Sequence, residues 1–407
     1  MSLEKNKDEA FYYICENISG NDKVAWLGDC PIIKSDAVSL NASTNYRAHS
    51  SLHAKYDAIL LTEKELFSLY PNSWKLVLDE AIRMLCSKGT LIVRTKDSQE
   101  GTLFDFKSCL GRNPNNQVSL VDQKIIAGET ISVFSVIRLN NDYYKDSSWT
   151  FGILSNGEKN ENVISLVRKA IKLSGKTKVE FLIAGPKIDE LSEYDNVRFI
   201  FRTKDNLPRI SEKKKLILQE ASNANVLLIH DRYQIDDNFF DGFIDFGYDF
   251  DFITVRQKYP SGVEFPSYLY FPVNKKIWQS PVKIENLDKA FDSSFLNGGL
   301  LVVKKHLADK CNFNALLLHN EAEDVEVSMQ MCSIGIYPRI NTISVAHTIG
   351  INEEYTNTFA TDSDVQTKGI NKFKKILFSV WCHMPESVRS KIRGTKWYDK
   401  AQTLYRR

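Results

Sequence analysis

The chain has 407 residues, of which 43% are hydrophobic and 26% charged, and its net charge is +2. This length predicts two or three domains rather than one. No apolar run reaches the roughly 18 residues of a transmembrane helix, and the stretch MSLEKNKDEAFYYICENISG lacks the apolar core of a signal peptide, so we expect no secretion. Seven scattered cysteines without a CxxC pair favour free thiols in a reducing cytoplasm over disulfides or a zinc site.

Alternating strand and helix patterns run through the first third of the chain and predict an open α/β domain, Rossmann-like, over residues 1–145. The predicted elements are the strands KVAWLGD (23–29) and YDAILLTE (56–63), a helix over 74–89 ended by Gly89, the strand TLIVRT (90–95), and a closing hairpin or pair of edge strands that includes TISVFSVIRL (130–139).

A polar linker, NNDYYKDSS (140–148), separates this domain from a second α/β series over residues 146–352. The predicted order is the strand WTFGILSNG (149–157), a helix over 162–175, the strands VEFLIAG (179–185) and VRFIFR (197–202), a helix over 211–224 capped by its Ser, the strand NVLLIHD (225–231), and a turn, strand and helix start over 295–310. We take Lys213, Lys214 and Lys215 as a solvated helix face, from which one lysine could reach a phosphate group.

The residues after 352 form a third, basic segment, predicted as an amphipathic helical tail over 353–407. From Gln366 to Arg407 there are eleven Lys or Arg against two acids, a net charge of +9, so that the other 365 residues carry −7. The stretch INKFKKILFSVWCHM (370–384) combines an apolar helical face with lysines beside it. This pattern favours a membrane surface as the partner over nucleic acid, because the rest of the chain is acidic. The alternative is a terminal helix packed on its own domain.

Polar residues and glycines follow several strands of the second series, where ligands bind in open α/β sheets. Asn156 and Glu158 follow the first strand, and Asp231 and Arg232 follow VLLIH. The turn Asn297-Gly298-Gly299 would let the backbone approach a ligand closely, or is simply a tight turn.

Four carboxylates crowd into six positions of the stretch LLLHNEAEDVEVSMQM (316–331), namely Glu321, Glu323, Asp324 and Glu326. Asn320 with Glu323 three residues later predicts a capping box, and acids suit the first turn of a helix. One of these carboxylates could also project into a cleft as a catalytic base.

This order of motifs over residues 149–350 resembles the GT-A glycosyltransferases, particularly inverting enzymes related to family 2. The resemblance implies a nucleotide-sugar donor bound by Asn156, Glu158, Asp231, Arg232 and the Asn297-Gly298-Gly299 turn. It also implies Asp324 as the base that deprotonates the acceptor hydroxyl, with Glu323 as second choice and Glu321 orienting the acceptor.

The family's DxD motif is eroded here, because the matching tripeptide His230-Asp231-Arg232 keeps one acid. Asp231 could still hold Mn²⁺ or Mg²⁺ with help from His347, to clamp the diphosphate. Alternatively, Arg232 could supply the positive charge as a donor fork suited to phosphate. His347 taken alone is more typical of a core histidine.

The segment from YDAILLTEKEL to TLIVRT resembles the later half of a methyltransferase-type Rossmann domain. Its first strand lacks a Gly-rich loop, with Gly28 alone in WLGDCPII. That departure favours a degenerate domain and argues against S-adenosylmethionine as cofactor.

The combined interpretation is a hexosyltransferase that extends a surface polysaccharide, such as lipopolysaccharide or capsule, or a lipid-linked glycan. The basic tail would hold it peripherally on the inner, cytoplasmic face of the cell membrane. The alternatives are a non-catalytic glycosyltransferase-like scaffold and a methyltransferase acting through the first domain. A retaining reaction with Asp231 or Glu158 as nucleophile also stays open.

Overall fold

The computed structural model describes residues 2–201, 207–272 and 280–361. The chain forms two large sheets and one small sheet covered by helices, which confirms the predicted α/β class. The basic segment 366–407, with its predicted amphipathic helix, lies outside the described residues. In the described ranges the cysteines are free thiols.

The first sheet has the strand order β2-β1-β3-β4-β6-β5. β1, β2, β3 and β4 are parallel, and β5 and β6 form the predicted antiparallel hairpin at the edge. Its strands are β1 (Val24–Leu27), β2 (Asp36–Val38), β3 (Tyr56–Leu61), β4 (Leu85–Thr95), β5 (Asn116–Ile126) and β6 (Glu129–Arg138). The helices of this part are α1 (Ser2–Glu16), α2 (Leu66–Leu69), α3 (Trp74–Met84), α4 (Leu103–Arg112) and α5 (Asn141–Lys145).

Two details of this region differ from the sequence prediction. Helix α3 ends at Met84, and Gly89 lies inside β4 opposite Val136 instead of ending a helix. A Cβ atom at Gly89 would lie 2.8 Å from the carbonyl oxygen of Asp57, so this glycine permits close packing against β3. The predicted polar linker contains the short helix α5, whose Tyr144 is buried.

The second sheet has the order β11-β17-β12-β16-β10-β7-β8-β9, and a small sheet has the order β14-β13-β15. The strands are β7 (Trp149–Leu154), β8 (Val179–Ala184), β9 (Val197–Phe199), β10 (Asn225–His230), β11 (Tyr233–Ile235), β12 (Phe252–Lys258), β13 (Tyr268–Tyr270), β14 (Val282–Lys283), β15 (Ser294–Leu296), β16 (Leu300–Lys304) and β17 (Arg339–Thr348). The helices are α6 (Asn160–Ser174), α7 (Ile210–Glu220), α8 (Phe239–Phe246) and α9 (Glu323–Ser333).

Each face of the second sheet carries its own apolar core. The core on the α6 and α8 face includes Trp149, whose ring lies 4.6 Å from that of Phe243. The core on the opposite face receives α7, where Ile217 packs directly on β7. A Cβ atom at Gly152 would lie 2.2 Å from Ile217, so the glycine in WTFGIL sets the close approach of α7 to the sheet.

A buried network of charges joins the two halves of the chain. Arg83 on α3 donates to Asp249 at 2.8 Å and to Asp251 at 2.6 Å, both just before β12. In return, Arg339 at the start of β17 donates to Asp79 on α3 at 2.9 Å. Buried charges are tolerated only when paired, so this network ties the first sheet to the second in one arrangement.

Candidate functional site

The second sheet changes direction between two parallel neighbours, β7 and β10. From β7 the chain proceeds through β8 and β9 on one side, and it then returns to β10 on the other side of β7. In open α/β sheets, ligands bind in the crevice at the carboxyl ends of such strands. Ser155 directly follows β7 and Asp231 directly follows β10, so both residues stand at this crevice.

Asp231 is anchored at this edge of the sheet. Its backbone N–H donates to the carbonyl of Leu154 at 3.1 Å, and its Oδ2 accepts from the Ser155 hydroxyl at 3.0 Å. The residue is only 8% exposed, and burial raises the pKa of its carboxyl group above the ordinary value. A carboxylate held in this way can accept further hydrogen bonds or share a cation with a ligand.

The turn after β7 presents an exposed rim beside Asp231. Gly157 has a positive φ of 88°, and its N–H donates to the Ser155 hydroxyl at 3.1 Å. The side chain of Asn156 accepts from the N–H of Glu158 at 3.1 Å, and both residues are exposed. The two predicted binding residues of this turn are therefore open to solvent beside the crevice.

Cationic groups surround Asp231. Lys213 on α7 donates through Nζ to the carbonyl of Ser155 at 2.6 Å, and burial lowers its pKa. Arg232 and Lys159 act electrostatically on Asp231 and favour its ionised form. Several positive groups around one carboxylate suit a ligand with more than one negative charge, such as a diphosphate.

His230, at the end of β10, is half-buried in the same region, with its Nε2 atom enclosed. Burial lowers its pKa well below the ordinary value, and the charges of Lys214 and His319 act in the same direction, so the ring is neutral. Its Nε2 has no hydrogen-bond partner within the described part of the chain. The Nε2 atom is thus shielded from solvent although the residue ends a strand at the sheet edge.

A second carboxylate, Asp324, is held at the turn between β15 and β16. Its Oδ2 accepts from the N–H of Gly298 at 2.8 Å, and its Oδ1 accepts from the N–H of Val325 at 2.9 Å. Burial, assisted by the charge of Glu323, raises the pKa of Asp324 to about 6. A carboxyl group with such a pKa is mostly ionised at pH 7 yet basic enough to accept a proton.

Glu323 has a different partner from its neighbour. Its Oε1 lies 3.0 Å from Nζ of Lys214, which also donates to the carbonyl of Gly298 at 2.8 Å. Burial opposes ionisation of Glu323, but Lys214 outweighs it and lowers the pKa. Lys214 is fully buried, so its assignment to a solvated helix face is wrong. Glu323 and Lys214 together brace the turn on which Asp324 rests.

The predicted capping arrangements of α7 and α9 are also wrong. Helix α9 begins at Glu323 after Ala322, whose φ is 64°, and no side chain caps it. Glu323 turns to Lys214 instead, and the exposed Glu321 accepts from the N–H of Leu318 at 2.8 Å. In α7, Ser211 lies inside the helix, where its hydroxyl donates to the carbonyl of Leu317.

The glycines of the Asn297-Gly298-Gly299 turn admit side chains of the protein itself. A Cβ atom at Gly298 would lie 2.9 Å from Cβ of Asp324 and 3.0 Å from Nζ of Lys214. At Gly299 it would lie 2.5 Å from the hydroxyl of Tyr233. This turn is therefore the junction between the end of β10, helix α7 and the start of α9.

The β10–β16 register brings the two carboxylates to one sheet edge. Ile229 pairs with Leu300, and the N–H of His230 donates to the carbonyl of Gly299. Continued by one residue, this register places Asp231 opposite Gly298, which holds Asp324. The sequence signals for Asp231, Gly298 and Asp324 thus converge. Ser155 was missed, and the separate positions of Lys213 and Lys214 were not distinguished, because their partners are distant in the chain.

The predicted metal ligands Asp231 and His347 have separate partners. The ring of His347 lies 3.2 Å from a carboxylate oxygen of Asp236, and Asp231 accepts from Ser155. In the described ranges no group of three or more His, Cys, Asp or Glu side chains is arranged to hold a metal ion. A single carboxylate still suits a cation bound chiefly through phosphate oxygens, so the metal stays a prediction.

The strand order of the first sheet also changes direction, at β1. The side chain of Glu63 lies at that point. Oε2 of Glu63, just after β3, accepts from the Trp26 indole and from the N–H of Cys30, both at 3.1 Å. A Cβ atom at Gly28 would lie 1.9 Å from the same oxygen. Glu63 therefore binds the loop after β1 and lies directly beside Gly28 in that loop.

Comparisons with known proteins give distant structural likenesses. No protein-family model matches the chain, and no curated protein matches it. A structure of GalNAc-T7 with UDP, GalNAc and Mn²⁺ is 12% identical, with a TM-score of 0.38, over 55% of this chain and 46% of that one. The chain thus matches less than half of GalNAc-T7.

Two further solved structures show likenesses of the same order. The inositol-1-phosphate CTP transferase from T. maritima is 10% identical, with a TM-score of 0.34, over 53% of this chain and 96% of that one. A mutant of Drosophila β-1,4-galactosyltransferase 7 with manganese, UDP-Gal and xylobiose is 8% identical, with a TM-score of 0.31, over 55% and 81%. Such similarity identifies neither a family nor a substrate for this chain, and the methyltransferase interpretation of the first half gains no support from it.

Through residues 2–201, 207–272 and 280–361, no helix has both the length and the apolar character needed to cross a membrane.

Proposed function

We propose that the chain transfers a sugar from a nucleotide-sugar donor to a hydroxyl group of an acceptor, with inversion at the anomeric carbon. The observation that carries this proposal is the pairing of two carboxylates at one sheet edge. Asp231 stands among cations at the switch point, and Asp324, with a pKa raised to about 6, rests on the N–H of Gly298.

The switch-point crevice would bind the donor. A departing nucleoside diphosphate needs its charge neutralised, and Lys213, Arg232 and Lys159 supply positive charge around Asp231. Asn156 and Glu158 on the exposed rim would contact the nucleoside. A divalent cation shared between Asp231 and the diphosphate would add a Lewis acid to this arrangement.

Asp324 would act as the general base. Its carboxylate would take the proton of the acceptor hydroxyl as that oxygen attacks the anomeric carbon and the bond to the diphosphate breaks. Glu323 is less suited to this role because Lys214 holds its charge and lowers its pKa. Glu321 is exposed and would orient the acceptor.

Two parts of the proposal come from the sequence, namely the kind of glycan that serves as acceptor and the location of the protein. A surface polysaccharide or lipid-linked glycan as acceptor, and a cytoplasmic membrane face reached through the basic tail, belong to the proposal as predictions.

A thermal-shift screen tests the donor site. The purified full chain is heated with UDP-, GDP-, dTDP- and CMP-sugars and with S-adenosylmethionine, each with and without Mn²⁺. A ligand that binds only the folded state raises the melting temperature. We expect a shift with one nucleotide sugar that is lost in Asp231→Ala and kept in Asp245→Ala, an exposed control on α8. A shift with S-adenosylmethionine alone would contradict the proposal, and so would the absence of a shift with every nucleotide sugar.

A further inference from the structure

A cavity lies at the same edge of the second sheet, on the far side of the Asn297-Gly298-Gly299 turn from Asp231. It has a volume of about 520 Å³, within the range of small-molecule sites. Its walls come from the second half of β12, the segment before β13 with the first residue of β13, the end of β14 and the segment after it, the start of β17, and one residue of the first half. The lining includes Ser43, Arg256, Glu264, Phe265, Ser267 and Lys283.

The first half of the chain holds two of the lining residues in place. Two residues after Ser43, the side chain of Asn45 donates to the carbonyl of Leu287 at 3.0 Å and accepts from the N–H of Ile340 at 3.1 Å. Leu287 and Ile340 both line the cavity. Arg339 adds a bond to the carbonyl of Asn45 at 2.8 Å. Because Asn45 is buried and bonded to both residues, this part of the wall is held in place without a ligand.

The charges of the lining are balanced. Arg256 forms an ion pair with Glu264, and Lys283 lies 3.2 Å from Glu285. A strongly anionic ligand would meet two carboxylates here, and a cation would meet two positive groups. A neutral ligand with many hydroxyl groups can donate to the carboxylates and accept from the cations.

The cavity also has apolar walls suited to a sugar ring. Phe265 and Ile284 are buried, with their surfaces contributing to the lining beside the polar groups. Sites for small ligands combine apolar side chains with a few placed polar groups in this way. Ser267 and the exposed Ser43 add hydroxyl groups at opposite parts of the lining.

A direct main-chain connection links the cavity to Asp324. The N–H of Asn297 donates to the carbonyl of Ser267 at 3.0 Å, and the next N–H, that of Gly298, donates to Asp324. β12 is antiparallel to β16, so the carboxyl end of β12 reaches the same edge as the turn that begins β16. A ligand in the cavity would therefore lie on the side of Asp324 away from the donor crevice.

We propose that this cavity binds a sugar unit of the acceptor, so that the acceptor is a saccharide. This inference rests on the proposed transferase function. It also assigns a role to the first half of the chain, which supplies Ser43 and anchors two other lining residues through Asn45.

Blocking the cavity mouth tests the proposal. Ser43→Trp places a large ring at an exposed lining position, and Ser51→Trp is the control on another exposed turn of the first half. Binding of cellobiose, maltose, lactose and N,N′-diacetylchitobiose to the full chain is measured by saturation-transfer NMR titration. We expect at least one disaccharide to bind the unmodified protein and Ser51→Trp, with affinity at least tenfold weaker in Ser43→Trp and in Glu264→Gln.

Nucleotide-sugar binding by thermal shift is recorded for the same variants. If a disaccharide binds equally well to Ser43→Trp, or if none of the four binds, the cavity is not a saccharide site and the proposal is overturned. Retained nucleotide binding in that case leaves the transferase function standing. If disaccharide binding is lost in Ser43→Trp while no nucleotide sugar binds any variant, the saccharide site stands and the transferase function fails.

Discussion

Lys214 and Glu323 form a buried ion pair, with 3.0 Å between Nζ and Oε1, although 109 residues separate them in the chain. The same Nζ donates to the carbonyl of Gly298, whose N–H binds Asp324. The pair therefore connects α7, the turn before β16 and the first residue of α9. It sets the position of the carboxylate that we propose as base without being that base.

Removal of Lys214 should destabilise the protein. In Lys214→Met the carboxylate of Glu323 is left buried without its partner, which costs about 3–5 kcal/mol of unfolding free energy in comparable cases. Urea denaturation measures this loss. Lys215→Met, on the same helix but partly exposed, should change the unfolding free energy by no more than about 0.5 kcal/mol.

The double variant Lys214→Met with Glu323→Gln should recover part of the loss, because no unpaired charge remains. Equal effects of Lys214→Met and Lys215→Met would show that the pair does not stabilise the fold.

The proposed base predicts a pH dependence of transfer. The pKa of Asp324 is raised to about 6, so below that pH its protonated form dominates and cannot accept the acceptor proton. We expect kcat/KM to rise with pH about a midpoint near 6 and then to level off. Asp324→Asn should lower kcat by about 10²–10⁴-fold while leaving the thermal shift with the nucleotide sugar in place. A pH-independent rate, or full activity of this variant, would exclude Asp324 as the base.

The turn that holds Asp324 has no room for a side chain. In Gly298→Ala the new methyl group would meet Cβ of Asp324 at 2.9 Å, so we expect a loss of about 1–3 kcal/mol in unfolding free energy together with reduced transfer. The matched control is Gly111→Ala on α4, where no atom lies within 4 Å. That variant should be neutral or more stable by up to about 1 kcal/mol, and comparable losses in both would contradict the packing described here.

The buried charges between the two halves predict a joint unfolding transition. Arg83→Met leaves Asp249 and Asp251 without a shared donor, and we expect a loss of at least about 3–5 kcal/mol. Arg112→Met, at an exposed position on α4, is the control. Calorimetry should show one transition in the unmodified protein, and two separate transitions would mean that the halves are thermodynamically independent.

The same network predicts sensitivity to acid. Burial opposes ionisation of Asp249, but Arg138 and Arg83 outweigh it and lower the pKa to about 2 from an unfolded value of 3.8. The resulting stabilisation is present above pH 3.8 and is lost as the pH falls toward 2. Far-UV circular dichroism should therefore show acid unfolding in this range, shifted to higher pH in Arg83→Met. An unchanged midpoint in that variant would exclude the network as its cause.

Much of the fold follows from local sequence patterns. The apolar runs WTFGIL and NVLLIH form buried strands, as their composition predicts. The spacing of apolar residues over 160–174 produces a helix with one buried face. Asp231 was singled out for the same reason, because a residue directly after a strand lies at a sheet edge whatever the rest of the chain does.

The tertiary structure decided which residues that are distant in the sequence come into contact. Gly89 was predicted to end a helix, yet it lies inside β4, where it pairs with Val136 of β6 and packs closely against Asp57 of β3. Lys214 lies between Lys213 and Lys215 in the sequence. Its burial is tolerated because Glu323, on the distant helix α9, supplies the opposite charge. Packing of the whole chain determines the partner of a buried charge, because an ion pair forms between groups that are close in space. Such a pair produces no periodic pattern in the sequence around either of its two residues.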